Sequence, residues 1–147
     1  MAEHFFNLIM TQKVTIQVEK QPGEKNFTCY MVESLPDFGL TGYGKTAREA
    51  INDLYEGQKE TREALAEMGK TMPELEFTFK FDVGSFFSYY DCLNIAGVAR
   101  RAGINASLMR QYAADVHRPS PKRRAQIEQA VHDMAEELHA VALGQFG

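Results

Sequence analysis

Residues 94–127, NIAGVARRAGINASLMRQYAADVHRPSPKRRAQI, carry the pattern from which the rest of the chain can be read. Asn94 is placed to cap a short helix whose inward residues are Ile95, Val98 and Ala99. Gly103 then ends it, because glycine takes a positive φ at no steric cost. Ile104 turns inward, Asn105 caps a second helix, and Met109 and Tyr112 form that helix's apolar stripe at the helical period. Ala106, Ser107, Arg110 and Gln111 are left to share the opposite, outward face. A short helix with a small, polar and basic face, presented across a glycine turn, suits insertion into a DNA major groove. The pattern is that of a helix-turn-helix followed by a clamping helix.

Charge is distributed to match. The net charge is −4, which by itself argues against a nucleic-acid partner. Residues 1–82, however, hold 9 basic and 14 acidic residues, whereas residues 83–147 hold 7 and 6. All 7 basic residues of the second half fall between Arg100 and Arg124, where Asp115 is the one acid, a local balance of +6. Phosphate binding depends on such local fields rather than on the overall charge. Arg110 and Gln111 are the expected readers of base edges, Arg toward guanine and Gln toward adenine, with Ala106 and Ser107 beside them at the helix start. Arg100, Arg118, Ser120, Lys122 and Arg123 are the expected phosphate contacts, which set register without reading sequence.

The first half changes period where an α+β unit should. Val14, Ile16 and Val18 alternate as a strand with one buried face. A turn-rich break over 21–26 precedes a second strand over 27–34, and Leu40 to Gly44 reads as a third, interrupted by Gly42. Thr46 and Glu49 have capping-box spacing. Ala47, Ala50, Ile51, Leu54, Thr61, Leu65 and Met68 then mark the inner stripe of a long helix. Gly69 ends that helix, Pro73 blocks its continuation, and Phe77, Phe79 and Phe81 alternate as a last strand. The expected fold class is therefore α+β: a β-β-β-α-β domain over residues 12–82, then an all-α helix-turn-helix bundle over 83–147. Ser85 to Tyr90 is expected to open that bundle. Ser120 and Pro121 start its last helix, whose apolar residues Ile127, Val131, Met134, Leu138 and Val141 are expected to pack on the bundle itself.

Composition excludes several classes. The apolar fraction of 44% and the charged fraction of 24% are those of an ordinary globular protein. Phe5 to Met10 is too short and too interrupted for a membrane span, and it lacks the flanks of a signal peptide. Cys29 and Cys92 have no metal-ligand spacing and sit among apolar residues, so both are expected to be buried, reduced thiols of a cytoplasmic protein. His132 and His139 share a helix face but lie about 10 Å apart along it, too far to hold one metal. Asp37, Glu49 and Asp53 do not make the converging set that a two-metal nuclease needs. Neither catalysis, a metal nor a cofactor is expected. Met1 to Ile9 has no element signal, so Met10 is a candidate start of translation.

Taken together, Tyr30, Pro36-Asp37-Phe38-Gly39, Thr41-Gly42-Tyr43-Gly44-Lys45-Thr46 and Glu49-Ala50 resemble the strand–loop–strand–helix passage of the HicB-like antitoxins. Residues 98–109 and the segment His117 to Pro121 resemble a lambda-repressor-like helix-turn-helix and its exit loop. Asp115 stands where that family usually has glycine. The resemblance implies a type II antitoxin. Its N-terminal domain would cover a small, basic, HicA-like ribonuclease toxin, and its C-terminal domain would bind operator DNA and repress its own promoter. A homodimer or higher homo-oligomer is expected, since one such module reads a half-site. The alternative is a stand-alone transcriptional regulator whose first domain senses a ligand or oligomerises.

Overall fold

The computed structural model describes residues 11–145, so the question of a start at Met10 lies outside the described residues. The chain is of the mixed α+β class, with one four-stranded sheet and five helices among the described residues. It divides into two units, one ending at Tyr89 and the other beginning at Tyr90.

In the first unit, β1 (Gln12–Glu19), β2 (Phe27–Met31) and β3 (Thr41–Gly44) form an antiparallel meander. Helix α1 (Ala47–Glu67) crosses the sheet and returns the chain as β4 (Leu75–Phe81), which pairs with β1 in parallel. The sheet order is β3-β2-β1-β4. Val14, Ile16 and Val18 are buried against α1, together with Cys29, Leu40, Ala47, Ala50, Ile51, Leu54, Leu65 and Met72. At the start of α1, the Thr46 side chain accepts a hydrogen bond from the Glu49 backbone N–H. The Glu49 carboxylate in turn accepts one from the backbone N–H of Lys45 at 2.8 Å. One orphan donor of the first turn is thereby satisfied, and the residue before the cap is tied to the same turn. Thr61 is half-buried and Met68, at the C-cap, is 66% exposed, so the inner stripe of α1 ends at Leu65.

Gly42 does not interrupt β3; it seats α1 on it. A Cβ at Gly42 would lie 2.2 Å from the carbonyl oxygen of Ala50 and 2.7 Å from the backbone nitrogen of Leu54. Gly44 is equally closed, with a Cβ there 2.5 Å from that of Glu49. Where β2 leaves β1, the Glu33 carboxylate accepts a 2.7 Å hydrogen bond from the backbone N–H of Thr15 and so extends the ladder by one bond. That bond holds the Glu33 carboxyl below its usual range, so the stability it supplies is present at neutral pH and is lost as pH falls.

Helix α2 (Val83–Tyr89) corrects the expected boundary. It was expected to open the helical half, but it belongs to the sheet unit. Asp82 accounts for this. Its carboxylate accepts hydrogen bonds from the N–H of Ser85 at 2.7 Å and of Lys20 at 3.3 Å, while its own N–H donates to Val18. Asp82, the last residue of the expected first domain, is thus bound into the sheet together with the start of α2. Phe81 then stacks on Phe86 and Tyr89, with ring centroids 6.1 and 5.6 Å apart. The Arg48 guanidinium lies 4.5 Å over the Tyr89 ring and donates to its carbonyl oxygen at 3.0 Å, pinning α2 to the start of α1.

The second unit holds α3 (Ile95–Ala102), α4 (Ala106–Ala113) and α5 (Pro121–His139). α3 packs against both of the others. Its core is Val98, Ala99, Ile104, Met109, Tyr112, Ile127 and Ala130. The last turns of α5 depart from expectation: Leu138 is 64% exposed, and Val141 beyond the helix is also exposed. No helix among the described residues is long and apolar enough to cross a membrane.

The cysteines divide, against the expectation that both are buried. Cys29 is enclosed and its thiol donates to the carbonyl oxygen of Ala50 at 3.1 Å, whereas Cys92 is exposed. Burial first, and the Asp53 carboxylate second, push the Cys29 thiol up to about 12. A thiolate-selective reagent such as Ellman's should therefore modify one of the two cysteines of the native protein quickly. The second should react only as the protein unfolds, a difference that mass spectrometry of the modified chain reads directly.

Candidate nucleic-acid interface

The geometry over 94–124 is built by local side chain–backbone bonds. Asn94 Oδ1 accepts from the N–H of Gly97 at 2.7 Å and so caps α3. Gly103 sits at φ 70°, with its N–H on Arg100 and that of Ile104 on Ala99, a Schellman ending that leaves Ile104 buried. Asn105 Oδ1 then accepts from Ser107 and Leu108 at 2.9 and 3.3 Å, which starts α4 after a turn of three residues.

α4 ends in the same way on a residue that is not glycine. Asp115 takes φ 59°, its N–H bonds Tyr112, and that of Val116 bonds Gln111. Aspartate tolerates this left-handed conformation better than most residues, which makes the departure from glycine affordable at this turn. Its carboxylate also lies 3.8 Å from Arg118, an exposed pair that contributes little.

The four residues expected at base edges differ in exposure. Ser107 and Arg110 are exposed, one turn apart on α4, whereas Ala106 and Gln111 are half-buried. Among the expected phosphate contacts, Arg100 and Lys122 are exposed and make no polar side-chain contact among the described residues. Arg124 and Arg110 are in the same condition. Arg123 is half-buried, with its guanidinium on Gln126 at 3.3 Å. The Ser120 hydroxyl accepts from the N–H of Arg123 at 3.2 Å, so it caps α5.

Arg101 behaves differently from its neighbours. It meets Glu137 at 2.6 Å and fastens α3 to α5. Nothing local distinguishes it from Arg100 in the sequence, because its partner is 36 residues away. Asn94 and Asn105 cap α3 and α4, the helices that carry Arg100, Arg101 and Arg110.

In the sheet unit the three carboxylates weighed for catalysis each have a structural bond. Asp37 meets Lys70 at 2.8 Å, Glu49 accepts from the N–H of Lys45 at 2.8 Å, and Asp53 accepts from the N–H of Tyr43 at 2.9 Å. Glu49 and Asp53 line a shallow open groove with Tyr43, Asn52, Tyr55 and Glu56. No group of three or more His, Cys, Asp or Glu among the described residues is placed to hold a metal ion. Comparisons with protein-family models, with curated proteins and with solved structures found no match.

Proposed function

We propose that this chain is a cytoplasmic, non-enzymatic DNA-binding repressor of the HicB-like antitoxin kind. In this reading α3, its glycine turn and α4 are a helix-turn-helix, and the first unit is the toxin-covering domain. The observation that carries the DNA reading is the exposure of polar and basic residues over 100–124: Ser107 and Arg110 on α4, and Arg100, Lys122 and Arg124, none of these four cations held in an ion pair among the described residues. Cations held in no internal ion pair are available to displace counterions from a phosphate backbone. Operator binding by a homodimer follows from the half-site that one module reads.

The antitoxin reading rests on two further supports. The element order β1-β2-β3-α1-β4 in the first unit agrees with the resemblance noted in its sequence. The same half is acidic, 14 acids to 9 bases over residues 1–82, which favours a small basic ribonuclease as partner through charge complementarity. The second reading, a stand-alone regulator, keeps the DNA surface and gives the first unit a sensing or assembly role.

Tagged full-length protein recovered from its host lysate, with bound protein and bound DNA both identified, separates these. A small basic protein together with the chain's own promoter fragment is the expected result. DNA without a protein partner would leave the plain regulator. Recovery of neither would remove both readings.

A further inference from the structure

Among the described residues the sheet ends at β4, whose one ladder neighbour is β1. Alternate backbone N–H and C=O groups between Leu75 and Lys80 therefore face outward from the sheet, with no strand of the described residues beside them. The strand, LEFTFKF, is 7 residues long and has neither proline nor glycine to blunt it. Its sequence has an approximate symmetry about its centre. If β4 is laid antiparallel on a copy of itself with the two-fold axis through Thr78, Glu76 faces Lys80 of the second copy, and Lys80 faces its Glu76. On the other side of the sheet Phe77 faces Phe79, and Leu75 faces Phe81.

Exposure agrees with both halves of that pairing. Glu76, Thr78 and Lys80 are exposed on the open face, and neither charge makes an ion pair among the described residues. On the helix side Phe77 and Phe79 are only half-buried, and no strand among the described residues lies outside them. They stack with Tyr55 at 5.6 and 6.5 Å, and Tyr55 is itself 46% exposed. A lysine on an edge strand ordinarily discourages pairing with a like strand. Here the acid four residues earlier turns that repulsion into two cross-strand ion pairs, each side by side with its symmetry mate.

We propose that β4 pairs antiparallel with β4 of a second copy of this chain about an axis through Thr78, joining two four-stranded sheets into one. The inference stands on the sheet unit and does not depend on the DNA reading. Opposed residues of an antiparallel pair have Cα atoms about 4.5–5.5 Å apart, a span that a disulfide bridges.

In full-length protein with the exposed Cys92→Ser, mild oxidation of a Thr78→Cys variant should give a covalent dimer. Lys13→Cys lies on the same open face but on interior strand β1, which puts its symmetry mate about 14 Å away or more, so it should remain monomeric on a denaturing gel. Adding Glu76→Lys to Thr78→Cys should lower the yield of dimer on the order of tenfold by facing lysine with lysine. Adding Lys80→Glu as well should restore it. A Thr78→Cys protein that stays monomeric overturns the proposal. So does a yield indifferent to the charge reversals, or a cross-link to some other protein in preference to a second copy.

Discussion

Gly42→Ala is expected to unfold the sheet unit, or to destabilise it by about 3 kcal/mol or more, at the upper end of what overpacking costs. The new methyl group would stand 2.2 Å from the Ala50 carbonyl oxygen and 2.7 Å from the Leu54 nitrogen. Both atoms are helix backbone, so no side chain can swing aside to relieve the clash. Either α1 lifts off β3 and uncovers Leu54, Ile51 and Cys29, or the strand moves. Gly57→Ala is the matched control. It lies in the same helix, and the nearest atom to its new Cβ, the Thr41 oxygen, is 3.7 Å away. There the substitution should stabilise by about 1 kcal/mol through helix propensity alone. Denaturant titration of both variants should move their midpoints in opposite directions. Equal shifts would mean that α1 is not seated on Gly42.

The second large effect concerns specificity. Arg110→Ala should lower the preference for operator over random DNA by about 1–3 kcal/mol, the worth of one good bidentate base contact. Lys122→Ala should weaken both DNAs alike and flatten the dependence of log K on log salt by about one. Binding isotherms on the two DNAs at several salt concentrations check this. Equal losses for Arg110→Ala on both DNAs would leave α4 as a phosphate-binding helix and return the reading of bases to some other element.

Both expectations draw on features that sequence reveals unevenly. The β1 core residues Val14, Ile16 and Val18, the Thr46 cap, and the Asn94, Gly103 and Asn105 punctuation are visible because their causes lie within four residues of them. The membership of α2 is not visible. Its aromatic residues would suit either unit, and the choice is made by Asp82, whose hydrogen bonds reach back to Lys20 and Val18. The role of Gly42 is hidden for the same reason, since the atoms that exclude a side chain belong to the next helix rather than to its own strand. At the candidate interface, Arg100 and Arg101 are indistinguishable neighbours until Glu137 takes one of them. Exposure of Cys92, Leu138 and Val141 was equally illegible, because an apolar neighbourhood in sequence does not guarantee an apolar neighbour in space.

The helical unit has a thin core. Seven residues from Val98 to Ala130 make up its buried apolar set among the described residues, and the end of α5 adds none. So small a core leaves little margin over the entropy of the unfolded chain. Any ligand that binds only the folded form then raises its stability by RT ln(1 + L/Kd), with L the free ligand concentration. For this unit, binding any such ligand and staying folded would be a single coupled equilibrium.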